Sequence, residues 1–284
     1  MIKIVIDVAI PALTFFMMCL VGIDLERGRL KDAVRGRRLI AGAVGGQIVL
    51  IPAIGLAMAA LMALPEPVAF GILLIAACPA GTISNFYVML AGANVALSVI
   101  LTILGCLAAA ITIPACFAVY DWWLGQTNAI AVPARMLFGQ LALLVALPIA
   151  LGAWLRYVRP ALATDHARLL RVLGLIALAG LVGFIIAQKP GAVAVMITGQ
   201  ALTILIFSLA TFVAGWGLGK AFGADAENAF TVAVEFMARN LTIAAVIAVS
   251  ILHRVDFAAF AVAVFVYQVP LFLIAAWWHR RRAA

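Results

Sequence analysis

The stretch "CPAGTISN", residues 78–85, decides the fold, because it places a helix breaker and several polar groups inside an apolar run. It follows "AFGILLIAA" and precedes "FYVMLAGANVALSVILT". Proline and glycine interrupt a helix, and the backbone groups that they free have to be satisfied inside the protein rather than by lipid. The stretch therefore predicts a membrane helix that is broken in its middle, with a polar site at the break.

The composition around this stretch is that of a membrane protein. Of the 284 residues, 67% are hydrophobic and 11% are charged, and the mean hydropathy is +1.23. These values lie far outside the range of soluble domains. The N-terminal segment lacks a basic region and a small-residue cleavage site, so it is interpreted as a retained helix rather than a signal peptide. We expect an all-α, polytopic membrane protein.

Charged and turn residues divide the chain into nine apolar segments, each long enough to cross a bilayer. The predicted spans are 4–23, 39–63, 67–91, 95–119, 130–155, 170–187, 191–218, 226–251 and 257–278. Because nine is odd, the two termini are expected on opposite sides of the membrane.

The distribution of lysine and arginine predicts the orientation. Fourteen of them fall in 24–38, 156–171, 219–225 and 279–284, against Lys3, Lys189 and Arg254 on the other side. The N-terminus is thus predicted outside and the C-terminus in the cytoplasm, in the cell's inner (plasma) membrane. The net charge of +8 is explained by this topology, so no nucleic-acid partner is expected. The cysteines and histidines form no cluster at metal-ligand spacing, so no transition-metal site is expected either.

Glu235 is the one acidic residue predicted near the centre of a span, with Arg239 four residues later and Asn240 beside it. A charge at the bilayer centre costs ~2.5–3.5 kcal/mol on insertion scales, and such residues usually face a protein interior or a water-filled cavity. A Glu–Arg pair that only joins helices is the structural alternative.

Polar residues recur at a nearly constant offset. Gln47 and Gln200 each follow a glycine and are 153 residues apart, and Asn85 and Asn240 each follow a polar residue and are 155 residues apart. The matched segments are five spans apart, which inverts the second copy relative to the first. This pattern is the arrangement expected of an inverted-repeat carrier.

A polar stripe follows the first break, with Asn94, Ser98 and Thr102 at a spacing of four residues on one helix face. Ser98 and Thr102 can bond back to their own helix. Together with Ser84 and Glu235 they are also candidate oxygen ligands for a hard monovalent ion.

At these residues the sequence resembles the bile acid:sodium symporter family, whose members carry Cys-Pro-Gly-Gly-Thr-x-Ser-Asn followed by Asn-Val-Ala-Leu-Ser. The chain has "CPAGTISN" and "NVALSVILT" and resembles the family's nine-helix form. The resemblance implies a transporter rather than an enzyme, with Na⁺ as coupling ion, no other cofactor, and alternating access between two domains. A panel domain would comprise 1–38, with the first panel helix and a cytoplasmic loop, and the panel helices of 120–190. A core would comprise 39–119 and 191–284, each half with one broken helix, near 78–85 and near 235–240, and the resemblance implies that the two broken helices cross.

The resemblance also implies the ion ligands. One sodium site would use Ser84, Asn85, Ser98, Thr102 and Glu235. A second site would use a glutamine matched by Gln47, the same glutamate, and the backbone of a Glu-x-x-x-Gln-Asn phrase. Here that phrase is "EFMARN", so Arg239 follows Ala238 where the family has glutamine. A permanently charged guanidinium repels Na⁺, and we expect the second site to be lost.

Two roles for Arg239 remain open: a built-in cation that replaces the second Na⁺, or a forked donor that grips the substrate's acidic group. The expected substrate is a small organic anion, which is bile-acid-like, a keto acid, pantoate-like or a sulfonate. The alternatives are a Na⁺-independent uniporter, an H⁺-coupled carrier that uses Glu235, and, with less support, a sensor, a channel or a membrane-embedded enzyme. The candidate substrate residues are Thr82, Asn85, Arg239, Asn240, Gln200 and Gln268.

Overall fold

A computed structural model describes residues 4–24, 36–81, 83–124, 134–161 and 167–283, and all regular structure in these ranges is helical. The helices are α1 Ile10–Ile23, α2 Arg37–Leu61, α3 Glu66–Ala77, α4 Ile83–Ala91, α5 Val95–Leu124, α6 Ala134–Leu141, α7 Leu147–Val158, α8 Ala167–Gln188, α9 Pro190–Gly199, α10 Ala201–Ala221, α11 Ala226–Met237, α12 Leu241–Ala245 and α13 Val255–Ala283. Short π-helical turns precede α1, join α6 to α7, and extend α12 to Ile251.

Eight helical segments of the described chain are long and apolar enough to cross a membrane. The predicted span 67–91 is not among them, because it consists of α3 and α4, which are each too short. Large apolar side chains cover the outer surface; Ile111, Leu202 and Val213 are 66%, 69% and 63% exposed. An apolar exterior of this kind is suited to lipid, and the protein is an all-helical chain of the polytopic membrane type.

Two helix breaks lie where the sequence predicts them. Helix α3 ends at Ala77 and α4 begins at Ile83, while α11 ends at Met237 and α12 begins at Leu241. The extended segments between them touch: the backbone N–H of Asn240 donates to the carbonyl of Pro79 at 2.9 Å. A Cβ on Gly81 would lie 3.3 Å from the Cα of Asn240, so the small residue permits this close approach.

Gln47 and Gln200, the two glutamines that recur 153 residues apart, have different surroundings. Gln47 lies within α2, which is continuous from Arg37 to Leu61. Gln200 lies at an interruption between α9 and α10, so the predicted span 191–218 is two helical segments. The surroundings of the two glutamines therefore differ, because only Gln200 lies at a helix end.

Helix α1 packs mainly against α7 and α8, and it also contacts α12 and α5. Its contact with α7 is a backbone contact: a Cβ on Gly22 would lie 2.1 Å from the carbonyl oxygen of Ile149, and one on Gly152 would lie 2.1 Å from that of Cys19. The second broken pair is buried throughout its most apolar eighteen residues, with α10, α13, α5, α4 and α1 against it. The breaks thus lie in the interior of the helical assembly.

Candidate ion and substrate site

Glu235 is fully buried in the last turn of α11 and is surrounded by hydroxyl groups. Its Oε1 accepts hydrogen bonds from Ser84 Oγ at 2.5 Å and Ser98 Oγ at 2.6 Å, and its Oε2 accepts one from Thr102 Oγ1 at 3.0 Å. The three hydroxyls come from α4 and α5, which follow the first break. The structure therefore brings the two breaks together at a single carboxylate.

This oxygen cluster, defined as Ser84, Asn85, Ser98, Thr102 and Glu235, has more oxygen contacts than protons. It contains six oxygen–oxygen contacts of 3.4 Å or less, one of them from Ser84 Oγ to the carbonyl of Gly81. Three hydroxyls supply three protons, and turning the Asn85 amide toward Ser98 supplies a fourth. At least two contacts then place acceptor against acceptor, an arrangement that a cation or an added proton stabilises.

Asn94, the first member of the polar stripe, lies outside the cluster. Its Oδ1 accepts from the backbone N–H of Leu97, and its Nδ2 donates to Asn228 Oδ1 at 2.8 Å. It therefore caps the start of α5 and joins it to α11. The alternative that Ser98 and Thr102 bond back to their own helix is not seen among the described contacts; both hydroxyls turn toward Glu235.

Arg239 is 4% exposed, and its guanidinium binds backbone carbonyls rather than the Glu235 carboxylate. Nε donates to the carbonyl of Cys78 at 3.0 Å, and Nη2 donates to the same oxygen. Nη1 reaches the carbonyls of Glu235 at 3.4 Å and Phe236 at 3.2 Å. The side chain thus places a positive charge on carbonyls from both broken helices, including the C-terminal end of α11, where the helix dipole is negative.

The remaining carbonyls at the end of α11 also have partners. The Val234 carbonyl accepts from the backbone N–H of Ala238, and the Met237 carbonyl accepts from Gln268 Nε2 at 2.6 Å. On the other side of the break, Asn240 Oδ1 accepts from the N–H of Ile243 and caps α12. Gln268 and Asn240 therefore satisfy backbone groups that the second break exposes.

The other predicted residues have separate positions. Gln47 is 4% exposed, and neither atom of its side-chain amide has a hydrogen-bond partner within the described chain. It lies close to the break, since a Cβ on Gly105 would be 2.7 Å from its Oε1 and 3.6 Å from the Cβ of Pro79. Gln200 accepts from Thr203 Oγ1 at 3.1 Å. Thr82 lies outside the described residues.

Two cavities adjoin the breaks. A small one of about 20 Å³ is lined by Arg239, Asn240 and Gly81, among others, and has room for about one water molecule. A larger one of about 380 Å³ lies between α1, α4, α5 and α8, with Asn85 in its wall. Its size suits an organic ligand. Of the six predicted substrate residues, Asn85 alone is in the described wall of this larger cavity.

Sequence reasoning missed three kinds of contact. The carbonyls of Cys78 and Gly81 are backbone groups, and only their neighbourhood to proline and glycine in a helix break signals them. Asn240 followed by a new helix is an N-cap pattern, which was available in the sequence. The contact of Gln268 with Met237 has no sequence signal, because it joins two different helices.

A polytopic helical protein with two interrupted helices that meet at a buried carboxylate is of the kind found among secondary transporters. The family model described as "Sodium Bile acid symporter family" matches residues 11–197. The chain belongs to this family, which confirms the resemblance found in the motifs.

Curated relatives from plants, animals and bacteria match most of the chain. A rice protein (Oryza sativa subsp. japonica) named "Probable sodium/metabolite cotransporter BASS1, chloroplastic" is 29% identical over 233 residues, which cover 82% of this chain and 56% of that protein. The Bos taurus "P3 protein" is 25% identical over 82% of this chain and 48% of its own length. Bacillus subtilis (strain 168) YocS, named as a sodium-dependent transporter, is 27% identical over 60% of this chain and 50% of its own.

The chain spans about half the length of these relatives. The family name and the names of the two transporters among them describe transport rather than enzyme catalysis. Together with the apolar helices, they identify a multi-pass membrane protein of a transporter family.

Proposed function

We propose that this protein is a symporter that moves an organic anion together with one Na⁺ ion across the cell's inner membrane. Na⁺ binds at the oxygen cluster of Ser84, Asn85, Ser98, Thr102 and Glu235. The observation that carries the proposal is the excess of oxygen contacts over protons around a buried carboxylate. Carboxylate, hydroxyl and amide oxygens are the ligands that hard cations prefer, and a monovalent cation neutralises the glutamate.

The one-ion stoichiometry follows from Arg239. The carbonyls of Glu235 and Phe236, at the end of α11, are of the kind that coordinate ions in broken-helix transporters, and here the guanidinium holds them. Two like unit charges about 4 Å apart repel by ~4 kcal/mol at an effective dielectric constant of about 20, which is on the order of a thousandfold in affinity. Arg239 therefore acts as a built-in cation in place of a second Na⁺.

The same contacts weigh against Arg239 as the residue that grips the substrate. Three of its nitrogens donate to carbonyls, and the cavity beside it holds about one water molecule.

Alternating access supplies the transport cycle. In this proposal the nine predicted spans form a core of 39–119 and 191–284 and a panel of 1–38 and 120–190. The packing of α1 on α7 and α8, and the burial of α11 among other helices, support that division. The larger cavity lies between helices of the two parts and is where the substrate is expected.

Uptake into proteoliposomes tests the function against its alternatives. A panel of bile-acid-like, keto-acid, pantoate-like and sulfonate anions is offered with an imposed Na⁺ gradient, an imposed H⁺ gradient, or neither. We expect concentrative uptake with the Na⁺ gradient only, and no response to membrane potential, because one Na⁺ and a monoanion carry no net charge. Uptake driven by H⁺ without Na⁺ would instead establish an H⁺-coupled carrier based on Glu235, and downhill flux alone a uniporter.

A further inference from the structure

The larger cavity has apolar walls contributed by four helices. Its volume of about 380 Å³ falls within the range of small-molecule sites. The apolar side chains in its wall include Met17, Leu20, Phe86, Met89, Val99 and Leu175. Such walls favour the apolar body of a ligand, and the transfer of that body from water drives binding.

Two charged residues also line the cavity, and they form an ion pair. Arg171 Nη2 donates to Asp24 Oδ1 at 2.5 Å, and the two side chains are 60% and 15% exposed. This is the one hydrogen bond that the structure gives the guanidinium within the described residues. A guanidinium has five N–H donors, so Arg171 can bind a second acidic group while Asp24 holds the side chain in place.

The position of the pair defines one end of the cavity. Met17 lines both this cavity and the small one at the helix breaks, and Asp24 lies seven residues further along the same helical segment. At 1.5 Å per residue, Met17 and Asp24 are about 10 Å apart along the helix axis. Leu175 is one turn after Arg171, which continues the apolar wall from the ion pair toward the breaks.

We infer that Arg171 is the anion-binding residue of this cavity: it binds the acidic group of an amphipathic organic anion whose apolar body lies along α1 and α4 toward Asn85. The inference rests on the proposed function, and it moves the recognition of the substrate's charge from the helix crossing to the opposite end of the cavity. Arg239 cannot take this role without releasing the carbonyls of Cys78 and Phe236. Among the described residues that line the cavity, Arg171 is the one cation.

Direct binding tests this assignment without requiring transport. The purified protein in lipid nanodiscs is titrated calorimetrically with 2-naphthoate and with its neutral analogue 2-naphthamide, and empty nanodiscs are subtracted. We expect wild type to bind the anion more tightly than the amide. Arg171→Gln should weaken 2-naphthoate binding about tenfold and leave 2-naphthamide unchanged, since only the anion uses the guanidinium. Arg171→Lys should retain part of the affinity, because it keeps the charge but loses the fork.

The controls separate charge recognition from folding. Arg38→Gln removes an exposed arginine at the start of α2 and should change neither ligand. The double variant Asp24→Asn with Arg171→Gln leaves no unpaired carboxylate, and it should show the same selective loss as Arg171→Gln.

Two results would overturn the assignment: equal losses for both ligands, or unchanged 2-naphthoate binding in Arg171→Gln. Anion-selective binding by wild type without Na⁺-driven uptake would refute the symporter and leave the role of Arg171 standing. Na⁺-driven uptake together with 2-naphthoate binding that Arg171→Gln does not weaken would support the symporter and refute the role of Arg171.

Discussion

The polar groups of the two helix breaks have different partners. At the first break, Ser84 and the carbonyl of Gly81 join the oxygen cluster around Glu235. At the second break, the end carbonyls of α11 are bound by Arg239, by Gln268 and by the chain itself. In the proposed function the first break serves an ion, while the carbonyls at the end of α11 are held by side chains. Arg239 holds carbonyls of both breaks, that of Cys78 and those of Glu235 and Phe236.

The largest expected effect comes from removing the charge that the two breaks share. Glu235→Gln should reduce Na⁺-driven uptake by at least about 100-fold, because the Na⁺ ion loses a buried counter-charge. Initial rates in proteoliposomes measure it. Glu227→Gln, at the exposed start of the same helix, is the matched control and should retain wild-type uptake. Wild-type uptake by Glu235→Gln would contradict a role for the oxygen cluster in Na⁺ binding.

Arg239→Gln should make the second break resemble the first. Loss of the guanidinium frees the carbonyls of Glu235 and Phe236, and the introduced amide adds an oxygen ligand. These groups and Gln47 can then bind an ion, so the number of Na⁺ ions transported per substrate should rise from one to two. With two Na⁺ ions per monoanion, accumulation becomes sensitive to membrane potential. At an imposed tenfold Na⁺ gradient, the accumulation ratio should be about tenfold higher than that of wild type. Arg239→Met removes the charge without adding an oxygen ligand and should stay at one ion. An unchanged number of Na⁺ ions per substrate in Arg239→Gln would contradict the role of Arg239 as a cation that replaces the second Na⁺.

A single hydroxyl of the cluster should have a smaller effect. Ser98→Ala removes one oxygen from beside Glu235 and should raise the Na⁺ concentration for half-maximal uptake by about fivefold to tenfold, which corresponds to about 1–1.4 kcal/mol, the net contribution of one typical polar contact. Ser208→Ala is the matched control. Ser208 is fully buried, and its Oγ has no hydrogen-bond partner in the described part of the chain. Equal shifts in the two variants would mean that the hydroxyl acts through packing alone.

The smallest effect on transport is expected at Gln268. Gln268→Leu leaves the Met237 carbonyl unpaired in the interior, which costs about 1–3 kcal/mol of stability. Thermal unfolding in detergent should show the loss, while the substrate KM and the Na⁺ count stay unchanged. Gln140→Leu is the comparison, since Gln140 Oε1 has no partner among the described residues. A large change in KM for Gln268→Leu would instead support the prediction that this residue belongs to the substrate site.

Much of this site was predictable because the signals are local. The phrase at 78–85 predicts the first break, and the acid and asparagine in "EFMARN" predict the second. The structure places both where expected, and the five residues of the proposed sodium site lie together. The membrane class followed from composition, and the family followed from two motifs.

Other features depended on which helix lies beside which. Gln200 and Gln268 are predicted substrate residues, and their described contacts are with Thr203 and the Met237 carbonyl. The pairing of Asp24 with Arg171 joins positions 147 residues apart, and nothing in either segment signals it. The single span predicted over 191–218 is interrupted at Gln200, which no proline marks.

By itself the sequence determined that the chain is a helical membrane protein with two interrupted helices and a buried acid, because hydropathy, proline, glycine and charge act on the segment that contains them. Only the tertiary structure decided which donors satisfy the freed carbonyls. A guanidinium on a flexible stem reaches any acceptor within several ångströms, and the choice between Glu235's carboxylate and the carbonyls of Cys78 and Phe236 depends on how the two breaks cross.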